Sequence, residues 1–136
     1  MSRKKIKVRI GEVILFYDQL VIVKLGNDHE ITLEDVQEQI EAARLITGEK
    51  EFVAILDGGN TIDVKEDAMS YIARFQEGRW LALAIVVRSI SERLFANYYL
   101  MFKKPIRPTR VFTTPAGAVK WLKQFIKIEG PVEYDV

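Results

Sequence analysis

The sequence predicts an α/β fold: a mixed sheet with an N-terminal antiparallel hairpin, then alternating strands and helices, four helices in all. Three observations carry this. Ile6, Val8 and Ile10 alternate with Lys5, Lys7 and Arg9, the period-two pattern of a half-buried strand. Phe52 to Leu56 and Leu81 to Val87 are unbroken apolar runs of strand length, as in parallel strands covered on both faces. Each of these runs leads into a segment with helical periodicity and a start signal. At 136 residues, 49% hydrophobic and 29% charged, the chain is expected to form one globular domain spanning residues 1–136.

In chain order, residues 5–10 read as an edge strand, and Gly11-Glu12 interrupts before Val13 to Tyr17. Asp18-Gln19 turns the chain into Leu20 to Leu25, completing a hairpin. Thr32 and Asp35 form a capping-box start for a helix with the stripe Leu33, Val36, Ile40, Ala43 and Ile46; Gly48 stops it. Asp63 and Glu66 are expected to cap a second helix through Ala68, Met69, Ile72 and Ala73. Ser89 and Glu92 cap a third, through Leu94, Phe95, Tyr98 and Phe102, which ends at Pro105 and Pro108. Arg110 to Thr113 is a short strand, and Thr114 with Pro115 opens the fourth helix, carrying Val119, Leu122, Phe125 and Ile126. The residues after Gly130 read as a loose tail.

Composition excludes several classes of function. Without cysteine there is no disulfide, zinc–thiolate site, iron–sulfur cluster or cysteine nucleophile. No apolar run is long enough for a membrane span and the start lacks a signal-peptide core, so a cytoplasmic location with no membrane partner is expected. A net charge of +1 gives no field to draw in nucleic acid, and none is expected as a partner. Arg3, Lys4, Lys5, Lys7 and Arg9 read as protection of an exposed strand edge, with phosphate contact as the other reading. His29, the single histidine, lacks a companion metal ligand or nucleophile, so no metal and no cofactor are expected.

Three stretches then carry a family likeness: the hairpin feeding Thr32-Leu33-Glu34-Asp35, the strand Phe52-Val53-Ala54-Ile55-Leu56-Asp57 with its turn, and Val111-Phe112-Thr113-Thr114-Pro115 followed by Ala118, Trp121 and Leu122. Over nearly its whole length the chain resembles the STAS domain, the fold of anti-sigma factor antagonists, and within it a compact bacterial branch of SpoIIAA-like proteins. The resemblance implies a non-catalytic regulatory or protein-interaction module. In phospho-regulated members the loop after the central strand carries Asp, then Ser or Thr, then Gly. Here Asp63 is followed by Val64 and Lys65, so the modifiable hydroxyl is missing.

Candidate binding residues gather where open α/β sheets hold ligands, at the carboxyl ends of the parallel strands. They are Asp57, Asn60, Thr61 and Asp63 after one strand, and Arg88, Ser89 and Arg93 after the next. Two guanidiniums beside a helix start suit a phosphate or carboxylate, while plain capping by Ser89 and Glu92 accounts for the same residues. The third helix has more apolar surface than one sheet covers. With Leu94, Phe95, Tyr98, Met101 and Phe102 taken as the inner stripe, Ala96, Tyr99 and Leu100 face outward, to be covered by a second copy, a lipid-like ligand or the tail. The leading expectation is a non-catalytic, self-associating homodimeric module. The alternative is a domain binding a small anion or lipid-like ligand at the carboxyl edge.

Overall fold

The computed structural model describes residues 4–134 apart from 28, 60–62 and 77. Its centre is a six-stranded sheet in which β1 (Lys4–Val8), β2 (Gly11–Phe16) and β3 (Leu20–Leu25) run antiparallel. β5 (Phe52–Asp57), β7 (Trp80–Val86) and β8 (Thr109–Phe112) then continue it in parallel from β3, in the order β1-β2-β3-β5-β7-β8. Helices α1 (Leu33–Ile46), α2 (Glu66–Arg74) and α3 (Ile90–Tyr98) fill the connections, and α4 (Pro115–Leu122) follows the last strand. The predicted mixed architecture and its four helices stand, with boundaries shifted by one or two residues. Two further strands, β4 (Glu30–Ile31) and β6 (Asp63–Val64), pair in parallel beside the main sheet; two-residue segments carry no periodic signal.

Alternation within each strand explains why the central runs are continuously apolar. Val13, Leu15, Val21, Val23, Phe52, Ala54 and Leu83 point to the face covered by α1 and α2. Ile14, Phe16, Leu20, Ile22, Val53, Ile55, Ala82 and Ala84 point to the opposite face, beneath Ala118, Val119 and Leu122 of α4. A strand covered on both sides has no polar side to show. β1, at the edge, keeps Lys4, Lys5 and Lys7 exposed.

The α1 start forms as its residues dictate. Thr32 accepts the Asp35 N–H at 3.2 Å, and Asp35 accepts the Thr32 N–H at 3.0 Å. Arg9 then clamps the same carboxylate with two bonds of 2.6 Å, tying the β1–β2 turn to the helix, and these bonds hold the Asp35 carboxyl down at about 2. α2 departs from expectation. Lys65, not Asp63, occupies its N-cap and makes no side-chain cap bond. Residues 63–64 are drawn into the β6 ladder, which leaves the Asp63 carboxylate in extended backbone, 3.8 Å from Lys65 Nζ.

The tail is not loose. Tyr17 donates to the Pro131 carbonyl at 2.7 Å, and a side chain at Gly130 would run into the Tyr17 hydroxyl. Ile126, Ile128 and Tyr134 are buried with α4. Arg107 is the buried polar residue with the largest structural task. Its guanidinium stacks 3.9 Å over the Trp80 ring and donates to the carbonyls of Ile72 at 2.9 Å, Trp80 at 3.4 Å and Phe75, closing the C-terminal end of α2. Arg107→Met strips the donor from all three and is expected to lower stability by about 2–4 kcal/mol, with Arg107→Lys recovering less than half for want of the planar fork. Urea midpoints measure this; a loss below about 0.5 kcal/mol would remove Arg107 from that role.

Candidate functional site

The carboxyl edge of the sheet is organised by one buried carboxylate. Asp57 ends β5, a central strand flanked in parallel by β3 and β7, and its side chain is only 3% exposed. Both oxygens are engaged. Oδ1 accepts from Arg88 Nε at 3.1 Å and the Gly59 N–H at 3.4 Å; Oδ2 accepts from Arg88 Nη2 at 2.6 Å and the Tyr134 hydroxyl at 3.1 Å. Burial pushes the Asp57 carboxyl up, but the Arg88 bonds and charge, with Tyr134 and the Gly59 N–H, together hold it below its ordinary range. Gly59 sits at φ +57°, where an added Cβ would lie 2.8 Å from the Leu25 carbonyl oxygen, a conformation and a clearance that require glycine.

The next connection begins at Arg88. Ser89 accepts the Glu92 N–H at 3.1 Å as the N-cap of α3, while Glu92 turns back to accept the Arg88 N–H at 3.0 Å. That return bond buries Glu92 and so fixes the phase of the helix: Phe95, Ala96 and Tyr99, which share its face, turn inward. Apart from Phe95, which turns inward as expected, the two faces expected for α3 are therefore exchanged. Ala96 and Tyr99 are each 5% exposed and Leu100 is half-buried, so this trio belongs to the core. Ile90, Leu94, Tyr98, Met101 and Phe102 form the outward ridge. A π-helical turn over Tyr99–Lys103 continues α3 and keeps Met101 and Phe102 on the exposed side.

Of the sequence-predicted binding residues, Asp57, Arg88 and Ser89 come together. Arg93 lies exposed on the first turn of α3, tied to Ser89 through its backbone N–H on the Ser89 carbonyl at 3.1 Å, and Asp63 stands in β6. Asn60 and Thr61 lie outside the described residues. Tyr134, which completes the cluster, was missed because nothing in a short polar tail signals which side chain will reach back 77 positions. Among the described residues no group of three or more His, Asp or Glu side chains is set to hold a metal, and no helix is long and apolar enough to cross a membrane.

Fold and site together define an α/β domain whose carboxyl edge is closed by its own ion pair and whose third helix leaves an apolar ridge exposed. The chain belongs to the family described as a domain of unknown function, DUF7793, whose model matches residues 14–126. Among solved structures it is similar to an uncharacterized protein of the DUF3478 family with a SpoIIAA-like fold from Shewanella loihica PV-4. That match has a TM-score of 0.48 and 12% identity over 89% of this chain and 92% of the other. No curated protein matches it.

Arg88→Met leaves Asp57 buried without its cation. The expected loss near neutral pH is about 2–3 kcal/mol, below the full value for a buried pair because Arg88 is itself 36% exposed. The sign of the pH dependence follows. In the natural protein Asp57 contributes stability above the ordinary carboxylate range, lost as pH falls through its lowered value. In the variant burial outweighs the Tyr134 and Gly59 hydrogen bonds that remain and raises it, so the deficit shrinks as pH falls from about 7 to about 5. Urea midpoints at both pH values check this, and a deficit that grows on acidification contradicts it.

Proposed function

We propose that the chain is a non-catalytic STAS-like interaction module that docks through the outward ridge of α3 and self-associates there. The observation that carries this reading is the ridge itself: Ile90 is 80% exposed, Leu94 and Met101 65% each and Phe102 63%, with Tyr98 beside them. At about 150–250 Å² per large side chain these exposures amount to roughly 450–800 Å² of apolar surface, at or above the upper end of what monomers leave bare. It approaches the ~800 Å² per partner of a standard interface, which fits a weak to moderate dimer. The closed Asp57–Arg88–Tyr134 cluster supports a non-catalytic role, because its carboxylate is held ionised with both oxygens engaged. Val64 and Lys65 stand where a STAS phospho-switch would carry its hydroxyl, so this module acts without that switch.

Charge gives the test its sign. Exposed Arg93 and Lys104 flank the ridge, while Lys103 and Glu66 beside Tyr98 neutralise each other. Two copies meeting across it bring like charges together, so self-association should strengthen between about 0.1 M and about 1 M salt, as the screening length falls from ~10 to ~3 Å. An acidic partner would instead be released by salt. Sedimentation velocity at tens of micromolar is expected to show a dimer fraction that grows with salt, and Leu94→Glu is expected to give a monomer with an unchanged Tm. A monomer at every salt concentration, or a dimer indifferent to Leu94→Glu, contradicts the reading.

A further inference from the structure

The inner side of α3 is as unusual as its ridge. Between this helix and the sheet lies a cavity of about 80 Å³, lined chiefly by Leu56, Val64, Met69, Ile85, Phe95 and Tyr99. Tyr99 is 5% exposed and its hydroxyl is buried without a hydrogen-bond partner. Burial pushes this phenol up, so it stays protonated and has a proton to donate. A buried donor left unpaired costs free energy, which an acceptor reaching it through the cavity would recover; Glu92 and Gly58 also line the space.

The cavity also has an approach. A groove of about 720 Å³ runs outside between the start of α2 and α3, and Val64, Met69 and Phe95 line both spaces. At the groove Lys65 is already paired with Glu30 at 2.9 Å and Asp63 at 3.8 Å, and Glu66 with Lys103 at 2.6 Å. An anionic head group would find carboxylates with their cations engaged. The cavity alone is about half the ~150 Å³ of a dry cavity that takes up benzene, so it holds one end of a molecule whose remainder lies in the groove.

We propose that the space beneath α3 is a binding site for an uncharged, mainly aliphatic molecule whose single hydrogen-bond acceptor, a carbonyl or hydroxyl oxygen, meets the Tyr99 hydroxyl. The inner cavity lies on the opposite side of α3 from the docking ridge, while the groove leading to it shares Leu94 and Tyr98 with that ridge. Calorimetric titration of the whole chain with 2-octanone, octane and octanoate tests it. 2-Octanone is expected to bind saturably and more tightly than octane, and octanoate not to bind. Tyr99→Phe should weaken 2-octanone about five- to tenfold, the worth of one neutral hydrogen bond, and leave octane as it was. Ala96→Leu, which adds volume inside the cavity, should abolish binding of both at an unchanged Tm, and Val64→Phe at the shared wall serves the same purpose if that variant does not fold. The proposal is overturned if 2-octanone binds no better than octane, if octanoate binds as well as the ketone, or if cavity-filling variants bind undiminished.

Discussion

The arrangement of this molecule's functional edge depends on the ion pair between Asp57 and Arg88. Three segments distant in sequence meet at one carboxylate: the end of β5, the connection from β7 to α3, and the tail through Tyr134. A carboxylate with 3% exposure at the centre of a sheet is tolerable only while its donors stay in place. The tail and the α3 connection are therefore held by the cost of releasing Asp57 as much as by their own packing.

From that fixed point the orientation of α3 follows in two steps. Arg88 is positioned by Asp57, and its own N–H is received by Glu92, which must then face inward. Residues 95, 96 and 99 lie one turn and two turns further along the same face and go in with it. Leu94, Tyr98, Met101 and Phe102 are left outside despite comparable hydrophobicity. One helix thus has two distinct surfaces, an outward ridge suited to a partner and an inner wall over an underfilled cavity.

The architecture was legible because its signals are redundant. The period-two start, the doubly covered runs at Phe52 and Leu81, and the cap pairs Thr32/Asp35 and Ser89/Glu92 all point to the same layout, and each survives in the structure. The phase of α3 was not legible from hydrophobicity, since the series 94, 98, 102 and the series 92, 95, 96, 99 both keep helical spacing. The deciding residue was Glu92, whose capping role also sets which face is buried. Asp63 misled for the opposite reason: an acidic residue ahead of a helix resembles a cap, but pairing of β6 with β4 holds it in extended backbone. At the site, Asp57 and Arg88 stood out as strand-end charges, whereas their pairing and the return of Tyr134 depend on tertiary contacts that a sequence pattern does not encode.

Amide hydrogen exchange on the natural chain and on the Arg88→Met variant measures most directly whether this pair governs the edge. Protection is expected to fall selectively in the first turns of α3 and in residues 127–134, while β2, β3 and α1 keep theirs, because the local opening is confined to the segments Asp57 holds. Unchanged exchange in α3 and the tail, or a uniform loss across the sheet, would contradict the central place given to the Asp57–Arg88 pair.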